Sequence, residues 1–263
     1  MKKVYRRYQV VFVSVISIVA VGGALILPFA SASCSAPQHK AGEGEAVERL
    51  RALTHAAPPI TLPAESMVAP IETQYANTTP GTLARLLRAR IKLAAGDLAG
   101  AASLLDSKAF GAQTALGDYA LLLRADALAK LGRRTEARAA YEQLARDYPK
   151  SVQAREAILR NAELALQDNQ AAAVPLLVKS LSEADDAGAL LLAAKAHERA
   201  GDADAARAAY RRIYFYAPAA EEAGEAASAL TRLASPLAPA SPAEATERAN
   251  KLYEAKRYGE AAA

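Results

Sequence analysis

The residues that could carry acid–base or metal chemistry are few and far apart in the chain. The three histidines are His39, His55 and His197, and no serine, cysteine or carboxylate is spaced to work with His197 as a catalytic partner. The single cysteine, Cys34, excludes a disulfide within the chain and a cysteine-clustered zinc site. We therefore predict no catalytic residue, no metal site and no cofactor.

Acidic pairs and aromatic residues point to helix structure rather than to a reaction. The adjacent acids at 185–186 and 221–222 suit the first turns of helices, where the helix dipole favours negative charge, and they are not spaced as an acid–base couple. The aromatic residues between 210 and 216 are placed to pack between helices, since positions four apart share one helix face.

The composition predicts an all-α fold. Of the 263 residues, 67 are alanine, 6% are aromatic and none is tryptophan. Alanine is the best helix former, and β-branched residues are scarce after the first thirty positions, so a fold built on sheets is disfavoured.

The formal net charge of +4 has a local origin. Lys2, Lys3, Arg6 and Arg7 are its source, because 32 basic residues minus these four leave 28, against 28 acidic residues. A protein that reads nucleic acid needs a basic face on its folded part. We therefore predict no nucleic-acid partner.

The first 32 residues have the pattern of an export signal. A basic start leads into the uncharged apolar run 10–29, and Ala30 and Ala32 form a small-x-small exit. The run is also long enough to span a bilayer. Three alternatives remain open: a cleaved signal, an uncleaved anchor that makes the cytoplasmic membrane a partner, and lipidation at Cys34. In each case we expect an exported protein of the periplasm or cell envelope.

The rest of the chain divides into three regions. Residues 33–81 are predicted to be a proline-rich linker with one short helix. Residues 82–233 contain helices in pairs, and residues 234–263 contain a second proline-rich break and the start of a further helical unit. That unit stops inside its second helix at Ala263, so we expect a truncated chain.

The helical region contains an internal repeat. Residues 121–149 align with residues 190–218, and the four positions that define the alignment recur 69 residues later. They are Gly132, Ala137, Tyr141 and Pro149 in the first segment and Gly201, Ala206, Tyr210 and Pro218 in the second.

Each of these positions has a physical role. The glycine allows the positive φ that ends a first helix, and the alanine is small where the two helices of a hairpin cross. The tyrosine fills the gap to the next repeat, and the proline stops the second helix. Because 69 is close to twice 34, we expect a weakened repeat between them, in which Pro175 disturbs the second helix.

This spacing resembles the tetratricopeptide repeat. The resemblance implies a right-handed α-solenoid of helical hairpins, with a concave groove lined by the first helices. It also implies a protein partner. Carrying the groove positions of the family onto the two segments gives candidate contacts at Leu122, Asp126, Lys130, Leu191, Lys195, Glu198 and Arg199.

Three further strings, at 142–166, 205–230 and 248–263, resemble the N-terminal superhelical region of soluble lytic murein transglycosylases. That resemblance implies the non-catalytic front part of such an enzyme, with peptidoglycan or a protein as partner. A chain ending at Ala263 contains no lysozyme-like domain, so we expect no murein cleavage. The alternative is a non-enzymatic envelope adaptor of the outer-membrane assembly or cell-division type.

Overall fold

The computed structural model of the protein describes residues 42–54 and 62–262, and every regular element in these ranges is a helix. The prediction of an all-α fold is confirmed. The chain divides into two compact units, unit 1 (Met1–Ala120) and unit 2 (Leu121–Ala263).

The N-terminal predictions fall on residues outside these ranges. The signal or anchor at residues 1–32, its apolar run 10–29 and Cys34 all precede the first described residue. None of the helices in the described part of the chain is long and apolar enough to cross a membrane.

Unit 1 contains five helices in its described part, and a sixth continues from it into unit 2. They are α1 (Glu43–Thr54), α2 (Glu65–Gln74), α3 (Thr79–Ala94), α4 (Leu98–Leu105), α5 (Ala109–Gln113) and α6 (Gly117–Lys130).

Unit 2 continues with hairpins that stack as in an α-solenoid. Its helices are α7 (Arg134–Asp147), α8 (Ala154–Gln167), α9 (Val174–Leu177), α10 (Lys179–Glu183), α11 (Ala187–Arg199), α12 (Ala203–Tyr216), α13 (Ala223–Arg232), α14 (Pro242–Glu254) and α15 (Tyr258–Ala261).

The hairpin that begins with α8 has a broken second helix, as the sequence predicts from Pro175. A 3₁₀ turn at Ala171–Ala173 leads into α9, whose first turn contains the proline, and α10 follows after Val178. Proline is tolerated in a first turn because the amide it lacks would have no partner inside the helix. Pro175 thus lies where a new helix begins, and the second helix is divided into a 3₁₀ turn and two short helices.

First helices end in a left-handed residue. Gly132 and Gly201 have φ of +75° and +78°. The amide of the next residue then donates to a carbonyl five positions back, as from Arg133 to Leu128 at 3.0 Å. This is the Schellman arrangement, which satisfies carbonyls that the helix end would leave without a donor. Asn169 takes the same conformation in the weakened repeat, with φ of +58°.

An aspartate follows some of these turns and starts the next helix. Asp202 follows Gly201 directly, and its carboxylate accepts the amide of Ala205 at 3.0 Å. Asp186 does the same for Ala189 at the start of α11. A side-chain acceptor at this position stabilises a helix start. One helix therefore ends and the next begins within two residues.

The prediction of a linker at residues 33–81 is wrong in its described part. Two helices, α1 and α2, pack on α3 instead of one short helix in an extended segment, and α3 itself begins at Thr79. Pro63 precedes α2 and Pro80 lies in the first turn of α3, so neither proline breaks a helix. Of these three prolines, only Pro70 lies beyond the first turn of its helix, α2.

The predicted break after residue 233 is shorter than the sequence indicates. Helix α14 begins at Pro242, where the Ser241 hydroxyl accepts the amide of Glu244. Arg211 of α12 holds the break, since it donates to the Pro236 carbonyl at 2.8 Å and to the Glu244 carboxylate at 2.7 Å. The segment is therefore fixed to α12.

Candidate protein-interaction surface

The first helices α8, α11 and α13 of unit 2 form the surface that we call the first-helix row. Two ion pairs join α11 to α13. The Lys195 ammonium lies 2.8 Å from the Glu225 carboxylate, and the Arg232 guanidinium lies 2.7 Å from the Glu198 carboxylate. These pairs fix the two helices beside each other.

A third side chain joins α11 to α8. The guanidinium of Arg199 donates to the backbone carbonyl of Leu166, in the last turn of α8. Carbonyls in a last turn have no donor inside their own helix, and a cation there also suits the helix dipole. The Leu166 carbonyl also accepts the amide of Asn169 at 3.2 Å, so Arg199 is a second donor there and links α11 to the end of α8.

Buried tyrosines of the second helices reach the first helices of the same repeats. The hydroxyl of Tyr141 donates to the Asp126 carboxylate of α6 at 2.5 Å. Burial and the nearby Asp126 charge raise the pKa of Tyr141, and burial likewise raises the pKa of Asp126 above its ordinary value. In the second well-formed repeat, burial and the Glu198 charge raise the pKa of Tyr210 to about 12. Both tyrosines remain protonated donors at neutral pH.

Arg160 on α8 lies between two carboxylates of the same helix. Its guanidinium is 2.8 Å from Glu156 and 3.3 Å from Glu163. Burial lowers the pKa of Arg160, but the two carboxylates outweigh that effect and raise it. Arg160 is thus paired within α8, whereas Arg155 of the same helix pairs with Asp186, just before α11.

The five polar residues among the predicted groove contacts fall into three groups in the structure. Lys195, Glu198 and Arg199 lie together on α11 and make the contacts between first helices described above. Lys130 is exposed on α6. Asp126 is half-buried and is engaged by Tyr141.

The two apolar candidates belong to the interior. Leu122 is fully buried, so its prediction as a groove contact is corrected: the side chain offers no surface to a ligand. Leu191 is half-buried and packs against the core cluster formed by α11, α12 and α13. Both follow the apolar stripe of an amphipathic first helix.

The residues that define the repeat occupy equivalent places in the two segments. Ala137 and Ala206 are fully buried. The residues before the two prolines, Tyr148 and Ala217, have nearly the same backbone, with φ of −131° and −132°. Proline disfavours the helical conformation in the residue before it. Pro149 and Pro218 therefore lie just beyond second helices that end alike.

Sequence reasoning missed the partners of the predicted contacts. Glu225 and Arg232 on α13 were not singled out, although Arg232 lies 34 residues after Glu198, one repeat length. Arg134 and Asp168, 3.3 Å apart, show the same separation. These ion pairs could have been predicted from opposite charges that lie one repeat length apart in the sequence.

The described residues bring no three His, Cys, Asp or Glu side chains together as a metal site. His197 is half-buried on α11, with its Nδ1 3.8 Å from the Asp202 carboxylate. The predictions of no catalysis and no cofactor remain predictions.

The stacked hairpins and the first-helix row define an α-helical repeat protein. Residues 119–151 and 188–214 match the family model of the tetratricopeptide repeat, and these matches fall on the hairpins α6–α7 and α11–α12. Two segments of the chain are therefore similar to the tetratricopeptide repeat, and both lie on helical hairpins. A comparison with curated proteins finds no match.

Proposed function

We propose that the protein is an exported scaffold that binds a segment of a partner protein along the first-helix row. The observation that carries this proposal is the set of contacts from α11 to both neighbours, since they join three first helices into one continuous surface. A segment lying across the row would touch several repeats at once, so each repeat would contribute to affinity.

The charges of the row favour a partner that carries both signs. Lys195, Arg199 and Arg232 alternate with Glu198 and Glu225 on α11 and α13. A highly charged partner of one sign would meet like charges as well as opposite ones. Arg232 is 60% exposed and Glu225 is 51% exposed, so both side chains are accessible to the partner.

Site-specific photo-crosslinking in the producing cell tests this proposal. Crosslinkers at exposed Ser228 on α13 and at Lys195 on α11 should capture the same protein. An equivalent crosslinker at exposed Ala208 on the second helix α12 is the matched control. The double charge reversal Lys195→Glu, Arg232→Glu should abolish capture from Ser228. Equal capture from Ala208, or capture unaffected by the reversal, would overturn the assignment.

A second candidate is the front part of a murein-cleaving enzyme. It is supported by the resemblance of residues 142–166, 205–230 and 248–263 to the superhelical region of lytic transglycosylases. The test is co-sedimentation of the protein with purified murein sacculi, with the supernatant of a sample lacking sacculi as control. Failure to sediment would remove murein as the ligand.

Export is also part of the proposal, and the intact mass of the native protein decides its mode. Loss of the first 32 residues indicates a cleaved signal, the full mass indicates an anchor, and an acylated Cys34 indicates a lipoprotein. Recovery of an unprocessed protein from the cytoplasmic fraction would contradict export.

A further inference from the structure

The two helices α1 and α2, which we call the 43–74 hairpin, share the burial pattern of the repeats. The fourth residue of each second helix is fully buried, counting the broken helix from Ala171, and these residues follow one another at 33, 36, 37 and 32 positions. They are Val68, Ala101, Ala137, Val174 and Ala206. Four residues after each of them stands a second buried residue: Glu72, Leu105, Tyr141, Val178 and Tyr210.

Helix α2 also packs on its neighbour as a second helix does. Arg88 of α3 stands 13 residues before Ala101, as Asn161 of α8 stands 13 residues before Val174. Asn161 contacts the preceding helix α7 through Arg138 and Glu142. Arg88 likewise contacts the preceding helix, α2, through Glu65 and Glu72. The same face of a first helix is used in both places.

We propose that the 43–74 hairpin is a further repeat of the array, and that the buried carboxylate of Glu72 selects α3 as the helix on which it stacks. Among the five equivalent positions Glu72 alone is charged, where the others carry leucine, valine or tyrosine.

The Glu72 carboxylate has a cation on each oxygen. Arg85 Nε lies 2.8 Å from Oε1, and Arg88 Nη1 lies 2.7 Å from Oε2. Arg88 also donates to Glu65 at 2.7 Å, and Arg85 donates to the Ser107 hydroxyl at 3.1 Å. A buried carboxylate without such partners is strongly destabilising. Stacking of the hairpin on any helix that lacks this arginine pair is therefore disfavoured, which is how charge gives specificity.

Apolar contacts stabilise the packing of the 43–74 hairpin on α3, and the charges determine that α3 is the helix on which it packs. Ala46 and Leu50 of α1 and Val68 and Ile71 of α2 are buried in one cluster with residues of α3. Helix α1 itself contacts α3, as one first helix contacts the next in unit 2. Within unit 1, α1 therefore lies beside α3 in the place of a preceding first helix.

Hydrogen exchange on the full chain tests the proposal. In a repeat, amides of residues 65–74 should be protected at least about 100-fold over an unstructured chain, in the range of those in α3. The variant Glu72→Gln should speed exchange in residues 43–54 and 65–74 at least tenfold and leave α11 and α12 unchanged. The matched control is Glu48→Gln, an exposed glutamate whose ion pair with Arg51 lies within α1.

The variant Arg85→Gln gives a second measurement should Glu72→Gln fail to fold. It should speed exchange in the same two segments, and the double variant should add little to either single change. Unprotected amides at 65–74 in the wild type, or equal effects of Glu72→Gln and Glu48→Gln, would overturn the proposal.

Discussion

The carboxylate of Glu198 lies 2.7 Å from the guanidinium of Arg232, and the two residues are 34 positions apart. One repeat length in the sequence is therefore a direct contact between neighbouring first helices. Arg248 and the carbonyl of Tyr214 are joined across the same separation. Charged side chains thus link neighbouring helices of unit 2 at both of these places.

The Glu198–Arg232 pair should show a coupling that salt removes. The single variants Glu198→Gln and Arg232→Gln and the double variant form a mutant cycle in which each stability is measured by urea unfolding. We expect favourable coupling at low ionic strength that falls toward zero in 1 M NaCl, because the pair is partly exposed and salt screens it. Coupling that is independent of salt would contradict this account.

The left-handed turn residues predict two substitutions of opposite sign. Gly201→Ala should lower the free energy of unfolding by about 1 kcal/mol, because alanine in this conformation is strained. A Cβ at this position would meet no atom within 4 Å, so the cost comes from the backbone alone.

Ala234 provides the reverse substitution. This alanine already has φ of +53° at the end of α13, and Ala234→Gly should raise stability by up to about 1 kcal/mol. Thermal and urea unfolding measure both variants. If the two changes shift stability in the same direction, the φ argument fails.

The crossing point of a hairpin should tolerate no larger side chain at Ala206. The variant Ala206→Leu should cost about 1–3 kcal/mol, since a fully buried position has no room for added carbons. Ala208→Leu on the exposed side of the same helix is the control and should change stability by less than about 0.5 kcal/mol. Similar losses in both variants, measured by urea unfolding, would disprove close packing at this crossing.

Removing the Tyr141 hydroxyl should destabilise the repeat through its partner. In Tyr141→Phe the half-buried Asp126 carboxylate loses its donor, at an expected cost of about 1–3 kcal/mol. Tyr253→Phe, at a tyrosine that is 66% exposed, should be neutral in the same urea titration.

The same carboxylate predicts a pH dependence with a definite sign. Burial raises the pKa of Asp126 in the folded protein, so the folded state takes up this proton at a higher pH than the unfolded state. The stability of the wild type relative to Asp126→Asn should therefore rise as the pH falls from 7 toward about 4. A constant or falling difference across this range would mean that burial does not dominate at this site.

The repeat could be predicted from the sequence because its defining residues act locally. Gly132 and Gly201 indicate a backbone conformation that few other residues adopt. Ala137 and Ala206 indicate that two helices pack too closely for a larger side chain. Such signals need no knowledge of distant parts of the chain. The left-handed conformation of Lys256 was hidden, because a lysine carries no such signal, although its φ is +61°.

The 43–74 hairpin could not be predicted by the same reasoning. Its prolines indicate a linker until the helix boundaries are known, and Glu72 stands where an apolar residue is expected. The burial of Glu72 depends on Arg85 and Arg88, which a local pattern does not connect to it. The groove contacts were incomplete for a similar reason, since the partners Glu225 and Arg232 lie on the next repeat.

The broken second helix after α8 gives unit 2 a mechanically compliant element. Helices α9 and α10 have only four and five residues, so each contains few internal hydrogen bonds. The intact second helices α7 and α12 have 14 residues each. We expect this hairpin to extend at a lower force than its neighbours, because its short helices contain fewer hydrogen bonds. A partner bound on both sides of α9 and α10 would therefore experience a surface that yields at one defined point.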